Sequence, residues 1–262
     1  MTPFPPAAVA ADRLTWLGHS TVLLELSGVR LLTDPLLRSR VLHLRRRAPE
    51  PADPGALDAV LISHADRDHL DLPSLRRLDP GARVVTAPGA SRSLRRLGRP
   101  VVELAPGEEV RIGGVTVRAV PAVHDGRRSP IGAPGDAVGF IVEGSRRVYF
   151  AGDTEVFPGM AGLAEDLDAA LVPIWGWGPT LGAGHMNPAQ AAEAIALLRP
   201  RLAVPIHWGT FLPLGFGRRH AHHLRDPPHE FAAHVATLAP ATHVAILAPG
   251  TPLELGARDL GE

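Results

Sequence analysis

The segment LDAVLISHADRDHL, residues 57–70, runs from a continuous apolar stretch straight into His64, Asp66, Asp68 and His69. The apolar part, LDAVLIS, has the length and composition of a buried strand. It delivers His64 at its C-terminal end, and the tight turn that follows gathers four metal-competent side chains within six residues. Imidazole nitrogen and carboxylate oxygen suit zinc, manganese or iron, with zinc–ligand bonds of roughly 2.0–2.2 Å. On its own, such a hexapeptide is also compatible with a solvated polar turn.

Working outward, three further apolar runs end in the same way. VRAVPAV (117–123) is closed by His124, RRVYFAG (146–152) by Asp153, and RLAVPI (201–206) by His207. Ligands at the ends of rigid strands hold their geometry better than ligands on free loops. Four such sites in one chain point to a metal centre.

The remaining periodicity supplies the frame. LTWLG (14–18), TVLLEL (21–26) and VRLLTD (29–34) read as short strands, as do VVEL (101–104), VTVRAVPAV (115–123), AVGFIVE (137–143), DAALVPI (168–174) and THVAILA (242–248). LPSLRRL (72–78) and SRSLRRL (91–97) read as short helices. Asn187-Pro188 opens a third helix, PAQAAEAIALL, with Asn as N-cap and Pro at the first helical position. PPHEFAAHVATL (227–238) is a fourth. Strands with a few helices in each half predict an α/β fold, a four-layer αββα sandwich of two mixed β-sheets with helices on the outer faces. No linker-like stretch interrupts 1–262, so one domain is expected. Segments 35–56, 125–136 and 208–229 read as loops.

Composition narrows the chemistry. The chain has 262 residues, 45% hydrophobic, with 27 basic and 27 acidic side chains and a formal net charge of +0. That balance argues against a broad nucleic-acid surface. All the basic residues are arginine, so Schiff-base and lysine-base chemistry are excluded. The absence of cysteine excludes disulfides and thiolate ligands. Neither a signal peptide nor a membrane-spanning run is read, and a cytoplasmic setting is expected.

The order of these residues resembles the metallo-β-lactamase-fold hydrolases over nearly the whole chain. Asp34 matches the first family motif. Residues 64–69 match the second, ordinarily His-x-His-x-Asp-His, and His124, Asp153 and His207 match the third to fifth. WLGHS (16–20), LLTDP (31–35), AGDT (151–154) and GHMNPAQA (184–191) look most like the branch of the ascorbate-6-phosphate lactonases and N-acylphosphatidylethanolamine phospholipases D. The resemblance implies two divalent metal ions and no organic cofactor. His64, Asp66 and His124 would form one site and Asp68, His69 and His207 the other, with Asp153 bridging. Asp34 would support the ligands by hydrogen bonds. A metal-activated hydroxide, oriented by Asp68, would attack an ester, lactone or phosphodiester of a small, anionic substrate. Position 66 departs from the pattern: Asp replaces His, which favours harder ions such as Mn or Fe and tests whether a shorter side chain fills the first site.

His185, in a glycine-rich loop before the third helix, is the candidate for assisting the leaving group. His19 reads as a structural hydrogen bond near the site. Trp175, Trp177 and Trp208 receive no role, and His220, His222, His223 and His229 read as a surface or rim cluster. Other functions fit the residues less fully. A phospholipase D-like lipid phosphodiesterase would need an apolar entrance, which VLHL (41–44) or TFLPLGF (210–216) supplies. A di-iron oxidoreductase and a non-catalytic metal-binding module complete the set. A homo-oligomer is compatible with the sequence.

Overall fold

Alternation along the strands sets the layers. In Thr21–Leu26, Val22, Leu24 and Leu26 enter one buried cluster and Leu23 another. Ala59–Ile62 divides likewise, with Ala59 and Leu61 on one side and Val60 and Ile62 on the other. In Arg147–Phe150, Val148 and Phe150 face that same first cluster while Tyr149 faces a third. This is the period-2 pattern of extended chain with both faces covered.

The computed structural model describes residues 11–124, 137–163, 165–176, 178, 180–216 and 218–256. In chain order its strands are β1 (Arg13–Gly18), β2 (Thr21–Leu26), β3 (Val29–Thr33), β4 (Arg40–Val41), β5 (Leu44–Arg46), β6 (Ala59–Ile62), β7 (Arg83–Thr86), β8 (Val101–Glu103), β9 (Glu109–Ile112), β10 (Val115–Pro121), β11 (Val138–Glu143), β12 (Arg147–Phe150), β13 (Ala169–Pro173), β14 (Leu202–Ile206), β15 (Phe211–Pro213), β16 (His243–Val244) and β17 (Pro252–Glu254). The helices are α1 (Leu72–Leu75), α2 (Ser91–Leu94), α3 (Pro188–Leu198) and α4 (Pro227–Leu238).

Two seven-stranded sheets form, ordered β17-β1-β2-β3-β6-β7-β8 and β16-β14-β13-β12-β11-β10-β9. Both are mixed. β1, β2 and β3 pair antiparallel, then β3, β6, β7 and β8 run parallel. In the second sheet β9 to β12 are antiparallel and β12, β13, β14 and β16 parallel. Leu24, Leu61, Phe140 and Phe150 belong to the core between the sheets. Leu75 of α1 and Leu94 of α2 cover the outer face of the first sheet. Ala191, Ile195 and Leu198 of α3 with Phe231 and Val235 of α4 cover the second. The expected αββα sandwich is present.

Several elements differ from the sequence expectation. β7, β9 and β17 are strands that the pattern did not reveal. The 72–78 helix is only α1, because after the Asp71 cap the chain tightens, with Arg77 N–H bonding Ser74 O at 3.0 Å and Leu78 N–H bonding Leu75 O at 3.3 Å. In the 242–248 segment only His243 and Val244 pair. Two of the three expected loops carry a small sheet, β15-β5-β4. The third, 125–136, lies outside the described residues, as does Trp177. Among the described residues no helix is long and apolar enough to cross a membrane.

Candidate metal centre

Both sheets contribute to one rim. In the first sheet, Asp34 follows β3 and His64 stands two residues past β6. In the second, His124 and Asp153 each stand three residues past β10 and β12, and His207 directly follows β14. β10, β12 and β14 share a direction, so their C-terminal ends meet at one edge. The link between sheets is short: Val138 N–H donates to Ser63 O at 3.0 Å and His207 N–H to His19 O at 3.0 Å. Gly152 permits the close approach. Its φ is +62° and a Cβ there would lie 2.6 Å from Ser63 Cβ.

The sequence-predicted residues converge. Asp66 Oδ2 lies 3.7 Å from His64 Nε2 and 3.5 Å from His124 Nε2. Asp68 Oδ2 lies 3.7 Å from His69 Nε2 and 3.9 Å from His207 Nε2. Asp153 stands between the two groups. Its Oδ2 is 3.9 Å from His64 Nε2, 3.1 Å from His69 Nε2 and 3.2 Å from His185 Nε2, and its Oδ1 is 3.3 Å from His207 Nε2.

The opposite edge of each imidazole is fixed. Asp34 accepts the Nδ1–H of His69 at 2.8 Å. Ser63 Oγ donates to Asp34 Oδ2 at 2.6 Å, so it accepts from His64 Nδ1 at 2.9 Å. His124 Nδ1 donates to Gly184 O and His207 Nδ1 to Trp175 O, both at 2.8 Å. In its neutral form, a ring whose Nδ1 carries the proton presents a lone pair at Nε2, the arrangement of a metal-binding histidine. Accordingly the buried Nε2 atoms of His64, His69 and His207, with Asp153 Oδ1, have no hydrogen-bond partner. Orphaned buried polar atoms are costly. Here they face one another, and the donor set fits divalent cations. Asp34 and His207 keep this geometry with left-handed backbones, φ 31° and 60°, strain of the kind found at functional sites.

The electrostatics agree. Burial works to raise the Asp153 and Asp68 carboxyls, but the surrounding imidazoles hold both well below the usual range. Asp66 is held low chiefly by the neighbouring imidazoles of His124 and His64. Burial keeps His207 well below its ordinary value. His69 goes the other way: burial opposes its charge, yet Asp153 and Asp68 raise it well above 6.5.

A family model described as a beta-lactamase superfamily domain matches residues 29–208. The chain belongs to the metallo-β-lactamase-fold superfamily. It is 34% identical over 233 residues to a metal-dependent hydrolase of Opitutus terrae, covering 84% of this chain and 91% of that one. It is 33% identical over 231 residues to an N-acyl-phosphatidylethanolamine-hydrolyzing phospholipase D of Caenorhabditis elegans, covering 77% of this chain and 64% of that protein. Among solved structures, a metallo hydrolase from the archaeon Ignicoccus hospitalis is 26% identical with a TM-score of 0.69, covering 93% of this chain and 98% of that one. The chain is a metal-dependent hydrolase of this superfamily, with a candidate His/Asp site for divalent metal.

Within this superfamily fold, α3 starts as expected: Asn187 Oδ1 accepts from Gln190 N–H at 3.0 Å and Gln190 Oε1 from Asn187 N–H at 3.1 Å. That cap, with Glu155 Oε1 accepting Gly184 N–H at 2.7 Å, sets the loop carrying His185. The His220, His222 and His223 cluster is not on a loop; it lies on a 3-10 helix, Arg218–Leu224, and His229 lies on α4. His223 stacks on Trp175, with ring centroids 5.6 Å apart. Sequence reading missed Ser63, although its place at the end of a buried strand was a signal. The carbonyls of Trp175 and Gly184 have no sequence signature.

Proposed function

We propose that residues 1–262 form one hydrolase domain that holds two divalent metal ions, Zn, Mn or Fe, and cleaves an ester, lactone or phosphodiester bond of a small, anionic substrate. His64, Asp66 and His124 would hold one ion and Asp68, His69 and His207 the other, with Asp153 between them. The observation that carries this reading is the set of buried, unpartnered Nε2 atoms on His64, His69 and His207, turned toward Asp153. When bound, a metal pair supplies Lewis-acid polarisation and activates water for attack.

The side chains supply the rest. Asp68 is 20% exposed, so its carboxylate meets both the buried imidazoles and solvent. It accepts a hydrogen bond from the attacking water and orients it. His185 is 11% exposed, and its Nδ1 is engaged by Ala183 O at 3.1 Å. Its Nε2 lies 3.2 Å from Asp153 Oδ2; with that carboxylate turned to metal, the same edge would donate a hydrogen bond to a departing oxygen.

The test is a panel of chromogenic phosphodiesters and lactones with metal-reconstituted protein. Turnover abolished by chelation and by Asp68→Ala supports the reading. Turnover indifferent to both contradicts it. A second reading, lipid phosphodiesterase, draws on the small sheet. Leu42 and Leu214 are 54% and 44% exposed, and Leu214 N–H bonds His43 O at 2.8 Å, which places the two segments side by side. Preferential turnover of a phospholipid over a water-soluble diester favours that alternative.

A further inference from the structure

His19 lies in the turn between β1 and β2 and is 1% exposed. Its φ of 54° is left-handed, a strained conformation for a non-glycine residue. The surroundings over-determine it. Its N–H donates to Thr210 Oγ1 at 2.7 Å, and its carbonyl accepts from Trp16 Nε1 at 2.8 Å and from His207 N–H at 3.0 Å. Gly18, with φ +105°, allows this closeness, since a Cβ there would meet Arg46 Nη1 at 2.9 Å and Thr210 Cγ2 at 3.0 Å. The ring thus arrives on a fixed backbone, packed 4.0 Å from that of His207.

Its Nε2 is 3.0 Å from Asp68 Oδ2. An ionised carboxylate only accepts, so the shared hydrogen belongs to His19. Here His19 differs from its neighbours. The Nε2 atoms of His64, His69 and His207 lack partners, whereas that of His19 is committed. A nitrogen that donates its N–H has no lone pair for a metal. Yet the ligand atoms of His19, Asp68, His69 and His207 all lie within 4.8 Å of one another, close enough for a fourth-ligand role to be the alternative.

We propose that His19 is a positioning residue that binds no metal: by donating to Asp68 Oδ2 it fixes that carboxylate toward the metal position shared with His69 and His207. The inference rests on the assignment of Asp68 to that position. Partners of this kind typically change metal affinity by about 10–100-fold.

Two variants test it. Asparagine tolerates the left-handed backbone but is too short to reach Asp68, so His19→Asn removes the donor. His19→Gln restores an N–H at longer reach. Zn(II) affinities are read by competition with a chromophoric chelator, coordination by the Co(II) visible spectrum at saturation, and folding by melting of the metal-free protein. The expected result for His19→Asn is one equivalent weakened by about 10–100-fold with the other unchanged, and a Co(II) spectrum like that of the wild type. His19→Gln should recover most of the loss. Unaltered affinity for both ions in His19→Asn overturns the inference alone. So does a changed Co(II) spectrum at saturation, which would make His19 a ligand. Failure of the wild type to bind a second ion overturns the two-metal reading as well.

Discussion

Asp34 Oδ2 lies 2.8 Å from His69 Nδ1, and this one carboxylate orients two imidazoles. The second is His64, reached through the Ser63 hydroxyl. Asp34 also accepts Ser63 N–H at 2.8 Å and is fully buried. Asp34→Asn should therefore weaken both metal positions, by about 10–100-fold each. Chelator competition checks this; a loss confined to one equivalent would contradict the relay through Ser63.

Among the described residues, the Asp66 carboxylate makes its ion-pair contacts with His64 and His124. Asp66→Ala should release one metal equivalent and leave the other within about two-fold of wild-type affinity, as the outer-partner magnitudes set the scale of a real effect. Isothermal titration with Zn(II) or Mn(II) reads the change in stoichiometry directly.

His185 Nε2 lies 3.2 Å from Asp153 Oδ2. His185→Ala should lower turnover by roughly 10²-fold or more, the usual range for a lost proton or hydrogen-bond donor, with metal content unchanged. Unchanged turnover on the best substrate of the panel would remove His185 from the mechanism.

Gly152 holds the two sheets together at the centre. Gly152→Ala forces a Cβ to within 2.6 Å of Ser63 Cβ at a left-handed φ. It should cost about 1–3 kcal/mol of stability and also weaken metal binding, because Ser63 is displaced. Thermal melting of the metal-free and metal-loaded protein separates the two effects.

Metal binding should be coupled to protons. Burial disfavours charge on His69, but Asp153 and Asp68 raise it well above 6.5, so at pH 7 the metal-free protein holds that proton. Ligation needs the neutral ring. Affinity should rise with pH from 6.5 upward until the raised value is passed, with proton release measured in buffers of differing ionisation enthalpy. By the same shift, the His69 ion pairs stabilise the metal-free fold fully below 6.5 and lose that contribution as pH rises through the raised value. Binding without proton release at pH 7 would contradict the assignment.

The sandwich was legible wherever apolar alternation was continuous, as in TVLLEL and RRVYF, because burial on both faces leaves a chemical trace in every residue. β7 escaped because RVVT holds only two apolar residues, β4 and β5 because Arg40, Arg45 and Arg46 interrupt the apolar pattern, and β15 because FLP is a short run closed by proline, which strands disfavour. Within the centre, the candidate ligands and Asp34 showed themselves as polar residues ending or following apolar runs. The other groups that orient them did not. The carbonyls of Trp175 and Gly184 act through backbone placement, and the Asp68 contact of His19 exists only because the fold brings residues 49 positions apart together. The rim histidines misled on structure, since the 3-10 helix Arg218–Leu224 lacks a periodic apolar face.

The most direct test is the metal content of protein purified without added metal, read by elemental mass spectrometry. The geometry predicts about two equivalents of Zn, Mn or Fe per chain. Protein that holds no metal, and takes up none on incubation with these ions, would contradict the central claim.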